Sequence, residues 1–179
     1  MPVDFFAAPC IRVNGKCQLP NVACKSTVQN HTFGLCDDPP PSSLPAYIDT
    51  TDQTKWIAHV NNPSLKEVTF KAIDNCVEIL RPDGTQESRC DGLLIHGNSL
   101  IFVELKDRAS SGWLSKGRSQ LTITIQNFKQ HHDINQFDNL EAYISNKQRP
   151  LAVTNISSEV QKFKNETGML LKANRNISI

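Results

Sequence analysis

Apolar positions along this chain predict a series of short strands and three helices, beginning near residue 46. Trp56, Ile57 and Val60 recur at helical spacing, so residues 51–60 read as a short helix. Ser64-Leu-Lys-Glu67 has the form of a capping box. The segment after it fits two periods. Leu65, Val68, Ala72, Ile73, Cys76, Val77 and Leu80 follow a helix, while residues 68–73 and 76–80 fit two strands broken at Asp74-Asn75. The β-branched content favours the strands. Arg81-Pro-Asp-Gly84 is a turn by residue type. Residues 89–95 and 100–105 are apolar runs joined by His96-Gly-Asn-Ser99, a hairpin signal. Apolar on both faces, these strands belong in the middle of a sheet covered on each side. Residues 113–130 read as a helix with Leu114, Leu121, Ile125 and Phe128 on one stripe and Lys116, Arg118 and Lys129 turned to solvent. A strand at 150–154, a helix at 158–166 closed by Gly168, and a last strand at 169–172 complete the pattern. The fold class is α/β, a central mixed β-sheet flanked by helices.

Composition changes the picture before residue 46. Asp37-Asp-Pro-Pro-Pro-Ser-Ser-Leu-Pro45 excludes helix or central strand. Residues 1–45 therefore read as an irregular Cys/Pro-rich N-terminal arm and residues 46–179 as the α/β domain. Four of the six cysteines lie in this arm, at positions 10, 17, 24 and 36, with Cys76 and Cys90 beyond it. No pair has the C-x2-C spacing of a zinc knuckle. Structural thiols are the first reading; disulfides, or a loose zinc set including His31 between Cys24 and Cys36, are the alternatives. No apolar run approaches the roughly 20 residues of a membrane span, and the N-terminus lacks a basic start and apolar core. A cytoplasmic protein without a membrane partner is expected. Net charge is +1, which excludes a protein that coats nucleic acid by charge alone. Residues 1–103 carry 8 basic and 11 acidic side chains and residues 104–179 carry 11 and 7, so the C-terminal part can present a basic face.

Candidate chemistry concentrates in the stretch from Cys90 to Lys106. Glu104 and Lys106 close one of the most apolar runs in the chain and, two residues apart on a strand, share a face. A turn centred on Gly97-Asn98 opposes Ile95 to Leu100, Leu93 to Phe102 and Asp91 to Glu104. Directly opposed residues have Cβ atoms about 5 Å apart. Two carboxylates so placed repel each other, and a divalent cation between them removes the penalty. Hard oxygen ligands suit Mg²⁺ or Mn²⁺. The carbonyl of Leu105 is available as a third ligand, and Lys106 beside the metal can orient a water or stabilise charge on a phosphate. The competing reading is a structural salt-bridge network at a strand end.

Asp91, then Glu104-Leu-Lys106 on the next strand, then a helix carrying Gln120 resembles the PD-(D/E)xK nuclease superfamily. A bare Glu-x-Lys is common; the ordered set of acid, strand, turn, strand, Glu-x-Lys and helix is far more specific. The resemblance covers about residues 64–155 and leaves the arm outside. It implies a restriction-endonuclease-like core and a Mg²⁺-dependent nuclease that hydrolyses phosphodiester bonds of DNA or RNA by a metal-activated water. Asp91 and Glu104 would hold the metal, Lys106 would position the nucleophile, and Gln120 would steady the water or Lys106. The chain also contains a literal Pro82-Asp83, but in a turn with Gly84 Asp83 cannot oppose Glu104. Glu67 and Glu78 are possible further acids, Asp107-Arg108 a phosphate contact, and His131-His132 a solvated helix end. Arg108, Lys116, Arg118, Lys162 and Lys164 are candidate backbone contacts. Nucleic acid, DNA first, is the implied partner; many relatives of this kind act as homodimers, and the arm is a candidate surface for a protein partner. The alternative function is a catalytically inactive nuclease-fold protein that binds protein or nucleic acid.

Overall fold

The apolar run at 100–105 needs cover on both faces, and that need organises the molecule. The computed structural model describes residues 3–12, 15–16, 19, 21–109, 111–149 and 156–179. Strand β9 (Ser99–Lys106) runs through the interior. Leu100 and Phe102 pack with Leu121, Ile125 and Phe128 of helix α2 (Trp113–His131) and Phe163 of helix α3 (Ile156–Thr167). The alternate residues Ile101, Val103 and Leu105 pack with Phe33, Leu35, Ala58 and Val60 of a second sheet. The result is three layers: helices, a six-stranded sheet and a four-stranded sheet.

The six-stranded sheet also contains β3 (Lys25–Val28), β7 (Val68–Ala72), β8 (Gly92–His96), β10 (Asn139–Asn146) and β11 (Leu171–Ala173), in the order β11-β10-β9-β8-β7-β3. Strands β7, β8 and β9 form an antiparallel meander. After α2 the chain returns as β10, parallel to β9, and after α3 as β11, parallel to β10. The smaller sheet orders β12 (Asn176–Ser178), β6 (Ala58–Asn61), β4 (Thr32–Cys36) and β5 (Tyr47–Asp49). A short hairpin of β1 (Ile11–Arg12) and β2 (Gly15–Lys16), and the single-turn helix α1 (Asn21–Cys24), precede β3. The α/β class with a mixed sheet stands, but helices cover only one face of that sheet and the second sheet covers the other. Among the described residues no helix is long and apolar enough to cross a membrane.

Several local expectations give way to tertiary contacts. Residues 25–36 are not irregular: β3 is an edge strand of the large sheet and β4 lies inside the small one, with Phe33 and Leu35 fully buried. The prolines end this structure rather than prevent it. Residues 51–60 form no helix. Asp49 accepts the amides of Thr51 (3.0 Å) and Asp52 (2.7 Å) to make a turn, and β6 follows because Ala58 and Val60 fill the small sheet's inner face. Nor does a helix follow the Ser64–Glu67 box. The buried Asn62 side chain captures Lys66 through its amide (3.0 Å) and carbonyl (2.8 Å), holding Leu65 at φ 50°. Residues 76–80 form no continuous strand: a turn over 74–76 has Cys76 and Val77 donating to the Ile73 carbonyl, and only Leu80 makes a bridge, to Gln86. The sequence pattern missed β10 and β12. The strand expected at 150–154 lies outside the described residues.

Gly34 shows how tightly the N-terminal part is built into the core. A Cβ there would sit 1.9 Å from the Trp56 ring. Gly34→Ala is expected to destabilise the fold by about 3 kcal/mol, the upper part of the usual overpacking range. Urea unfolding followed by tryptophan fluorescence checks this. An unchanged midpoint would mean that β4 can leave the core without harm.

Candidate active site

The β8–β9 hairpin turns at Gly97 and Asn98, with Gly97 at φ 51°, a conformation that suits glycine. The ladder pairs His96 with Ser99, Leu94 with Ile101 and Gly92 with Val103. It ends there, one step short of Asp91 and Glu104. Asp91 then takes over from the backbone: its Oδ2 accepts the Leu105 amide at 2.6 Å. The Leu105 amide and carbonyl leave an extended strand on the same edge, so the carbonyl points towards the same side as Asp91. The next residue along faces the other way, since Lys106 accepts the Lys147 amide beside β10.

Glu104 and Lys106 lie on the helix face of β9. Helix α2 can approach because it presents Gly117, where an added Cβ would fall 3.2 Å from Glu104 Cγ. Glu104 is 1% exposed. Its Oε1 accepts the Lys106 ammonium in an ion pair, while its Oε2 has no hydrogen-bond partner among the described residues. Lys106 Nζ also donates to Gln120 Oε1 at 2.8 Å, and Gln120 Nε2 donates to the Arg89 carbonyl at 2.9 Å. Gln120 thus fixes the lysine head and is itself fixed by the segment leading into β8.

Asp91, Glu104, Lys106 and Gln120 all border one cleft of about 260 Å³. Two further acids that the sequence pattern did not single out join them, Asp37 and Asp74. Asp37 sits in the proline-rich run at the end of the segment read as an irregular arm. Asp74 follows β7 and pairs with Arg89 at 2.9 Å. Arg108 and Lys116 supply positive charge at the same cleft, with Asp107 beside them.

Burial dominates the electrostatics. Burial, with Glu104 next in weight, holds the Asp91 carboxyl well above the usual carboxylate range. Burial pushes Glu104 up to about 7, against the pull of Lys106, and pushes Asp37 up to about 6, helped by the neighbouring Asp74. A divalent cation beside these carboxyls would favour their ionised forms. The orphaned Glu104 Oε2, the carboxylate of Asp91 and the Leu105 carbonyl form an all-oxygen donor set of the kind Mg²⁺ and Mn²⁺ take, so the residues present fit such an ion.

Other sequence candidates lie elsewhere. Asp83 accepts the Thr85 amide and hydroxyl in an exposed turn. Glu67 borders a different depression beside His96. Glu78 does not line the carboxylate cleft. His132 accepts the Phe5 amide at 3.1 Å and packs among Phe5, Phe6 and Phe128, a structural role. Arg118 is not turned to solvent: it ties α2 to α3 through Glu159 (2.7 Å) and Glu166. Lys162 pairs with Glu159 at 3.2 Å. Of the five basic residues expected to meet a phosphate backbone, Arg108 and Lys116 are the two at the cleft. Compared with protein-family models, curated proteins and solved structures, the chain matches none of them.

Proposed function

We propose that this chain is a divalent-metal-dependent nuclease built on a restriction-endonuclease-like core, with DNA as the first substrate to test. The observation that carries the reading is the buried Glu104 carboxylate, one oxygen held by Lys106 and the other without a partner, beside the buried Asp91. The antiparallel meander, followed by a helix and a strand parallel to β9, supports the reading at the level of topology.

In this reading Asp91, Glu104 and the Leu105 carbonyl hold Mg²⁺ or Mn²⁺. The cation would supply Lewis-acid polarisation of a phosphoryl oxygen. The chain's own groups do the rest. Lys106 keeps one positive charge fixed at the cleft, where it can orient a water or offset charge that grows on the phosphate. Gln120 holds the lysine head by accepting a hydrogen bond from it. Arg108 and Lys116 offer contacts to the flanking backbone, which position the strand without reading its sequence.

The direct test incubates the purified protein with supercoiled plasmid, linear duplex, single-stranded DNA and RNA, in Mg²⁺ or Mn²⁺ and in chelator. Cleavage of at least one substrate that requires the cation and is lost in Asp91→Asn is expected. A protein that cuts none of them, or cuts equally well in chelator, would remove the catalytic claim.

A further inference from the structure

Three cysteines from separate parts of the chain meet in the core, and none of them lines the carboxylate cleft. Cys10 comes from the N-terminal segment, Cys24 ends α1, and Cys76 lies in the turn after β7. Cys24 Sγ is 3.3 Å from Cys10 Sγ and 3.2 Å from Cys76 Sγ, and all three sulfurs lie within 4.8 Å of one another. All three are buried. Beside them Lys71 of β7, itself only 1% exposed, donates from Nζ to Cys10 Sγ at 3.2 Å. We propose that Cys10, Cys24 and Cys76 bind one Zn²⁺, with Lys71 as the outer donor to the Cys10 sulfur.

Geometry and charge both lead to zinc. Zinc–sulfur bonds of about 2.3 Å in a tetrahedral shell put the sulfurs roughly 3.8 Å apart, about half an ångström beyond the 3.2 and 3.3 Å separations here and inside the 4.8 Å that encloses all three. A disulfide would join only two of the three at about 2 Å and strand the third. Thiolates are soft ligands, which excludes Mg²⁺ and Ca²⁺. Three thiolates and a divalent ion leave one negative charge, and the Lys71 ammonium cancels it; a monovalent copper ion would leave the buried cluster anionic. Each thiol that coordinates gives its proton to solvent. Among the described residues three side chains supply ligands, and a tetrahedral shell takes one donor more. The loose zinc set with His31 between Cys24 and Cys36 is not assembled among the described residues: Cys24 joins Cys10 and Cys76 instead, and His31 is exposed.

The role of such an ion is to fasten Cys10 and the end of α1 to the turn after β7 of the large sheet. Its binding free energy would then be folding free energy. This proposal stands apart from the nuclease reading, because it uses sulfur ligands and a different part of the fold.

The test begins with the full chain expressed in zinc-supplemented medium and purified under mild reductant. Metal analysis is expected to return about one zinc per chain. X-ray absorption at the zinc edge is expected to show three or more sulfurs at about 2.3 Å. Cys76→Ser should lose most of the zinc or one sulfur from the shell, and Glu104→Gln should keep both. A zinc-free protein whose melting temperature ignores added Zn²⁺, a shell of nitrogen and oxygen alone, or a mass two daltons low from an oxidised cysteine pair would overturn it. These readouts on the unmodified chain hold even where the serine variant fails to fold.

Discussion

Replacing Lys106 by methionine is expected to slow metal-dependent cleavage by about 10²–10³-fold at saturating metal and substrate, the usual loss when one preorganised stabilising donor is removed. The lysine head needs no reorganisation before reaction, because Glu104 and Gln120 already grip it. Methionine keeps the stem's packing and removes only the charge and its donors. Arginine should not restore the rate, since its planar fork cannot occupy the compact site between two acceptors on different elements. Gln120→Leu should cost less, about tenfold, because it loosens the lysine without removing it. That substitution is a positioning test, so the separation of kcat from KM matters: kcat should fall while KM for the nucleic acid stays near its original value. A Lys106→Met protein that cleaves at the original rate would show that the ammonium serves only to pair Glu104.

The parts of this site that could be read from the sequence are those fixed by local rules. Gly97-Asn98 between two apolar runs sets the register of β8 and β9, and the register brings Asp91 to the end of β9. Gln120 follows from a helix that had to cover Leu100 and Phe102. What escaped notice depends on distant partners. Asp37 is 54 residues from Asp91 in sequence, and nothing near it marks it as more than a polar residue before prolines. Strand β10 is hidden by its own polar residues. Ser145 and Asn146 are buried in it because Ser145 donates to the Asn174 carbonyl and Asn146 donates to the Arg108 carbonyl, contacts no pattern of hydrophobicity contains. The Ser64 box failed for the converse reason. A strong local signal lost to Asn62, whose side chain satisfies the loop backbone directly. In the first 45 residues, prolines at 39–41 and 45 coloured the reading of a segment whose strands end before them.

Glu104→Gln is expected to gain stability over the unsubstituted chain at pH 8 in buffer without Mg²⁺ or Mn²⁺, and to lose the response to those ions. Burial pushes the Glu104 carboxyl from an ordinary 4.5 up to about 7. The folded chain therefore keeps a proton that the unfolded chain has released. The stability tied to that proton is full below about pH 4 and is lost as the pH rises through about 7. At 1.36 kcal/mol per unit, the penalty at pH 8 reaches roughly 3 kcal/mol. Glutamine is neutral at every pH and carries no such penalty, so the two proteins should have similar melting temperatures at pH 5 and diverge as the pH climbs. Comparing the pair at each pH cancels the titrating groups that do not interact with Glu104, while Asp91, whose carboxyl Glu104 helps to raise, adds to the difference in the same direction. Adding Mg²⁺ or Mn²⁺ at pH 8 should raise the melting temperature of the unsubstituted chain, because the ion takes the place of the missing proton. The same addition at pH 5 should do less, since the proton already occupies the site. Equal pH profiles for the two proteins would mean that Lys106 alone neutralises Glu104. An equal rise with metal in both would place the ion somewhere other than between Asp91 and Glu104.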